Sequence, residues 1–170
     1  MIFNDMYIKR HDRIVNHIHS QLTTSRPQFT VYVNRLITGN MLNANSTELY
    51  SNVIHRKPDL LILDDQLKKA YIVEVSSPYD AFVDQCYNTK FMYYSPLCEL
   101  INLDTTYSCK IVIIIIGSTG CVHKNVVPGL KILGFDTRRS KAIAKYLSIS
   151  AAIGSKIVWQ MRVGAVNAQR

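Results

Sequence analysis

The chain alternates between stretches whose apolar residues recur at helical spacing and short runs that are apolar throughout. In MYIKRHDRIVNHIHSQL, residues 6–22, Ile8, Ile14, Val15, Ile18 and Leu22 fall near helical spacing, and Pro27 lies beyond the end. FTVYVNRLI, 29–37, alternates and is rich in β-formers, which predicts a strand. The polar stretch 38–52 predicts an exposed, mobile loop. LLIL and AYIV predict strands over 59–64 and 69–75, with Asp64 and Asp65 in the turn between them. Pro78 follows, then a helix from about 79 to 95, with Pro96 as a kink or stop. KIVIIIIG, 110–117, never alternates, as expected of a strand buried on both faces. GSTG is a turn, and 123–134 predicts a short helix ended by Gly134. Thr137 is positioned to cap a helix through RRSKAIAKYLSISAAIG, and a last helical stretch carries Trp159 and Arg162. The order α-β-β-β-α-β followed by helices predicts a mixed sheet with helices on its faces, an α/β or α+β sandwich. The 170 residues suffice for one domain with a sizeable core.

The strand pair has a chemical consequence. If residues 65–68 form the turn, Asp64 pairs with Lys69, and every further pair keeps the same index sum, so Asp59 faces Glu74. Side chains of such a pair share one face, with Cβ atoms about 5 Å apart. Two carboxylates that close repel unless a cation sits between them. A divalent metal suits the pair, since Mg²⁺ typically takes one or two protein carboxylates and keeps water or phosphate oxygens for the rest. The bland alternative leaves both acids in solvent at the strand ends. Against it, Glu74 is flanked by Val73 and Val75 inside an apolar run, where an unpaired acid is costly.

Charge narrows the partners. Residues 1–104 carry ten Lys/Arg and eleven Asp/Glu, whereas 105–170 carry ten Lys/Arg and the single acid Asp136. A one-signed field of this kind attracts polyanions, nucleic acid first and an acidic membrane second; otherwise it is a solvated basic face. Arg138, Lys141 and Lys145 share one helical face, suited to backbone contacts with DNA. Arg56 and Lys57, just before the first acid, are placed to touch a phosphate. Cys86, Cys98, Cys109 and Cys121 show no CxxC spacing, which predicts reduced, mostly buried thiols in an intracellular protein. The five histidines show no metal spacing, and a structural role is expected for His17 and His19. The run IVIIIIG is far too short to span a membrane.

RKPD (56–59), fourteen residues, then EVSSPY (74–79), together with KFMYY (90–94), resembles the PD-(D/E)XK nuclease superfamily. More closely, it resembles the restriction-like endonuclease domain of site-specific non-LTR retrotransposon polyproteins. GSTGCVHKNVVPGLKILGF, AAIGSKIVWQMR and YIKRHDRIVNHI are similar to further stretches of that family, in the family's order. The resemblance implies one restriction-like endonuclease domain over 1–170: a leading helix over 6–22, a nuclease core over 28–117 and basic C-terminal helices over 121–165. It implies hydrolysis of a DNA phosphodiester, with Asp59 and Glu74 holding Mg²⁺ (or Mn²⁺) beside the carbonyl of Val75. Lys90 is implied as the catalytic lysine and Tyr94 as a residue lining the site on DNA. The superfamily pattern has its lysine two residues after the acid, where this chain has Ser76; the retrotransposon branch moves it into the following helix, where Lys90 matches. That branch has a second lysine where this chain has Tyr93, and a CCHC zinc knuckle that is missing here, as in a fragment or free-standing copy of a larger protein. The implied partners are target DNA and a reverse transcriptase, in the nucleus, with no membrane. The alternative is a DNA-binding or docking module of the same fold that has lost cleavage, with Ser76 as the sign of decay.

Overall fold

A computed structural model of the chain describes residues 2–46, 48–53 and 57–167. The elements are α1 (Ile2–Ser25), β1 (Thr30–Val33), β2 (Leu60–Asp64), β3 (Lys69–Ser76), α2 (Val83–Asp104), β4 (Ser108–Ile115), α3 (Val126–Ile132) and α4 (Thr137–Asn167). One four-stranded sheet runs in the order β1-β2-β3-β4. The first three strands form an antiparallel meander, and β4 pairs parallel to β3. The parallel pair requires a crossover, which α2 supplies. The mixed α/β class expected from the pattern is therefore observed. Among the described residues, no helix is long and apolar enough to cross a membrane.

Strand periodicity divides the core into two layers. Leu60, Ile62, Val73, Val75, Val112 and Ile114 point to one face, where Ile14, Ile18 and Leu22 of α1, Leu130 of α3 and Leu147 of α4 cover them. Leu61, Leu63, Ala70 and Ile72 point to the other, under Tyr94, Leu97 and Ile101 of α2. Both faces of β2 and β3 are thus buried, which explains their continuous apolar runs.

Four expectations need correction. The strand predicted over 29–37 ends at Val33 because Asn34 takes a left-handed conformation, φ 52°. The stretch 38–52 is not a loose loop. It forms two short 3₁₀ turns, Gly39–Leu42 and Glu48–Asn52, and buries Leu42 and Tyr50 in the second core layer. The backbone amides of Asn45 and Ser46 donate to the carbonyl and carboxylate of Asp104, at 2.9 and 3.1 Å. Pro96 does not stop α2, which runs on to Asp104. A proline inside a helix costs about 3 kcal/mol; burial of Leu97 and Ile101 against the sheet offsets it. Finally, the two expected C-terminal helices are one. Its cap is Asp136, whose carboxylate accepts the Arg139 amide at 2.8 Å, so Thr137 is already inside.

All four cysteines are free thiols, but only Cys109 is buried; Cys86 and Cys98 are half-buried and Cys121 is exposed. His17 stacks on Tyr146 with ring centroids 3.7 Å apart, the structural role expected of it. Of the tyrosines flanking and within α2, Tyr94 is buried and Tyr87 half-buried, whereas Tyr79 and Tyr93 are exposed.

The capping assignment is open to test. Asp136→Ala should lower stability by about 1 kcal/mol, the usual worth of an N-cap, and Thr137→Ala by much less. Urea denaturation of the two variants checks it, and the reverse ranking would return the cap to Thr137.

Candidate active site

The register across β2 and β3 runs from Asp64↔Lys69 to Leu60↔Val73. Asp59 directly precedes Leu60 and Glu74 directly follows Val73, close enough for the charge of Asp59 to act on Glu74. Both acids are buried, at 7% and 5% exposure. They lie at the open end of the hairpin, reached by helices from both sides of the sheet.

Asp59 is fixed by three neighbouring segments. Its carbonyl accepts the amide of Asn34, at 2.9 Å, just past the end of β1. Its carboxylate Oδ2 accepts the amide of Val75 on β3 at 2.7 Å and lies 3.1 Å from His11 Nε2 on α1. His11 Nδ1 is in turn 3.2 Å from the Asp12 carboxylate. The hydrogen bond to Asp59 outweighs the opposing effect of burial and raises the His11 pKa to about 9, so the imidazole is a cation at neutral pH.

Glu74 has a different environment. Burial, and then the charge of Asp59, push its carboxyl above the usual carboxylate range. The Lys90 ammonium counters this, donating to Oε1 at 2.6 Å. Burial alone would lower the Lys90 pKa; the Glu74 hydrogen bond reverses the sign, and the amine stays protonated. The Tyr94 hydroxyl donates to the carbonyl of Lys57 at 3.2 Å. Burial and the nearby charge of Glu74 push its pKa far above that of a free phenol. Tyr94 thus serves as a neutral donor that ties α2 to the chain just before Asp59.

The path of α2 explains how a lysine sixteen residues from Glu74 reaches it. Ser118 and Thr119 of the GSTG turn hydrogen-bond Asp80; burial pushes that carboxyl up, and the Thr119 hydroxyl and amide together with the Ser118 hydroxyl outweigh it and hold the carboxyl below its usual range. Inside α2, Asp84 lies 3.0 Å from Nε2 of the buried His123, whose ring stacks on Tyr87. These contacts pin the start of α2 beside the loop after β4, and the helix then runs back over the open hairpin end.

The structure thus brings together Asp59, Glu74, Val75, Lys90, Tyr94 and the backbone of Lys57, whose side chain is exposed. Arg56 lies outside the described residues. Arg138, Lys141 and Lys145 do lie on the exposed face of α4, but away from the acids. Helix α4 runs antiparallel to α1: Arg139 bonds Gln21, and Ser155 bonds Arg10. At 1.5 Å per residue, Lys145, Lys141 and Arg138 stand about 15, 21 and 25 Å along the axis from Ser155. His11 is the residue that spacing did not reveal. Its partner lies 48 positions away, and its one signal was the Arg-His pair in the stretch resembling the family's leading helix.

Two carboxylates with hard oxygen donors, one of them destabilised by burial, fit Mg²⁺ or Mn²⁺. Among the described residues no group of three or more His, Cys, Asp or Glu side chains forms a larger ligand set.

The His11–Asp59 contact makes metal-free stability pH-dependent. A histidine with a raised pKa contributes stability that is full below about pH 6.5, the unperturbed value, and is lost as pH rises through about 9. In chelator, stability should therefore fall between those limits, and His11→Gln should flatten the decline. Denaturation midpoints at half-unit pH steps check this; an unchanged slope in the variant would mean that His11 does not pair with Asp59.

No protein-family model matches the chain, and no curated protein matches it in sequence.

Proposed function

We propose that the chain is a Mg²⁺- or Mn²⁺-dependent DNA endonuclease with a PD-(D/E)XK core, which nicks target DNA as the restriction-like domain of a non-LTR retrotransposon does. On this reading it acts in the nucleus beside a reverse transcriptase. The observation that carries it is the buried Asp59–Glu74 pair at the hairpin end with the Lys90 ammonium on Glu74. The α-β-β-β-α-β order, with β4 parallel to β3, agrees with that core.

Asp59 and Glu74 would hold the metal, with the Val75 carbonyl alongside. When bound, the metal supplies Lewis-acid polarisation of a phosphoryl oxygen and a bound water of lowered pKa. The chain's own residues do the rest. His11 positions Asp59 and places a cation beside its carboxylate. Lys90, protonated and only half-buried, is poised to donate to a phosphate oxygen where negative charge develops. Tyr94 keeps α2, and hence Lys90, in register with the strand ends. Arg138, Lys141 and Lys145 span about 10 Å of the exposed face of α4, or about three base pairs of a duplex at 3.4 Å each.

Asp59→Asn and Glu74→Gln should each abolish metal-dependent nicking of supercoiled plasmid. Asparagine is the better probe at 59, because alanine would also strip the Val75 amide of its acceptor, costing about 1–3 kcal/mol. Lys90→Ala should slow nicking by orders of magnitude while metal binding is nearly kept. If Asp59→Asn cuts like the parent, the assignment fails. A parent that binds DNA but never nicks it would favour the binding module instead.

Reversing Arg138, Lys141 and Lys145 to Glu should weaken duplex binding and reduce the slope of log K against log salt by about one unit for each phosphate no longer neutralised. An unchanged slope would show that the duplex lies elsewhere.

A further inference from the structure

A second site adjoins the acids. Between the first half of α1, the end of β3 and the second half of α4 lies a cavity of about 630 Å³, within the usual size of small-ligand sites. Arg10, next to His11, is 9% exposed, with Nη1 donating to Ser155 Oγ at 2.6 Å and Nη2 to the Ser77 carbonyl at 2.7 Å. Its Nε and the Ser77 hydroxyl are buried and have no hydrogen-bond partner among the described residues. None of the ion pairs among those residues involves Arg10, so the guanidinium is buried without a counter-charge. A buried, uncompensated cation is costly and calls for an anion. Burial lowers its pKa, but arginine remains charged.

The walls are suited to a base as well as a phosphate. Tyr7 is flanked by two guanidinium groups, Arg10 at 5.4 Å and Arg162 at 5.6 Å from its ring centroid. Trp159 and Tyr79 add flat faces, 64% and 66% exposed, and among the described residues no acidic one lines the cavity. Aromatic rings beside arginines are the equipment of single-strand binding, in which a base stacks on the ring and the cation meets the backbone.

We infer that this cavity holds an unpaired nucleotide of the DNA strand that passes the acids, its base against Trp159 and Tyr7 and its phosphate against Arg10 and Arg162. The identification of DNA rests on the function proposed above. Ser77 lies three residues beyond Glu74, about 10 Å along the strand. At 3.4 Å per stacked nucleotide, the captured base is about three positions or fewer from the scissile phosphate. Capture of a base so close requires the duplex to open beside the nick.

Trp159 is the only tryptophan, so its emission reports the cavity directly. In chelator, where nothing is cut, single-stranded oligothymidine should quench the parent's emission saturably. A blunt duplex and heparin, which bind the basic face without offering an unpaired base, should not. Trp159→Ala and Tyr7→Leu, followed by anisotropy of labelled oligothymidine, should bind about 5- to 150-fold more weakly, the range for loss of one stacked base. Both variants should retain parental duplex affinity, which shows that they fold. Quenching by heparin equal to that by oligothymidine, or parental oligothymidine affinity in both variants, would overturn the inference. Neither result bears on nicking, which Asp59→Asn tests; a chain that quenches normally but never nicks would retain the nucleotide site and lose the nuclease.

Discussion

Everything at the hairpin end depends on one electrostatic constraint: two carboxylates forced side by side, out of water, by a strand register that cannot slip. A shift of one residue would turn Asp59 and Glu74 to opposite faces and drive the apolar sets of β2 and β3 into the wrong layers. The core that fixes the register therefore also fixes the repulsion. Two cations resolve it, one from each layer of helices: His11 on Asp59 and Lys90 on Glu74. Breaking such a buried pair from one side is costly because the abandoned charge stays where it was. The surroundings reflect this. Asn34 and Val75 hold Asp59, Tyr94 and the GSTG turn hold α2, and each contact keeps a charge beside its opposite.

The two carboxylates are not equivalent. Asp59 accepts hydrogen bonds from a backbone amide and from the protonated His11 imidazole. Glu74 is pushed toward its neutral form by burial and is countered by a flexible lysine and the Tyr94 hydroxyl. Of the two, Glu74 has more to gain from an arriving cation. Lys90, on a four-carbon stem, is the partner that can leave without disturbing the backbone.

The features legible in the sequence were those set by local rules. The turn length between two apolar runs fixed the index sum, which the ladder keeps from Asp64↔Lys69 to Leu60↔Val73, the pair adjoining Asp59 and Glu74. Helical spacing revealed α1, and Gly134, at φ 92°, marks the end of the short α3. What stayed hidden depended on tertiary packing. Pro96 signals a stop, yet the sheet beneath Leu97 and Ile101 carries the helix through it. Polar composition concealed the two anchors, Leu42 and Tyr50, that fold residues 38–52 onto the core. The basic residues of the last third were plain to count, but only the antiparallel packing of α1 and α4 separates Arg138 from Arg162 relative to the acids. Lys90 could be read only through a family resemblance, because nothing in its neighbours shows where a helix will cross a strand.

The packing of α1 against α4 has a consequence for the order in which the molecule is made. Arg10 and His11 precede α4 by more than a hundred residues, but their seat depends on it: Ser155, 145 positions on, bonds Arg10, and Gly154 leaves the notch that its stem fills, where an added Cβ would come within 2.7 Å of Arg10 Cγ. A chain still emerging from the ribosome can complete the β2–β3 hairpin and even lay α2 across it. It cannot lock the first helix until α4 has been translated. The paired acids thus gain their second cation only once α4 has packed on α1, so the centre is a property of the two helices together with the sheet rather than of the hairpin alone.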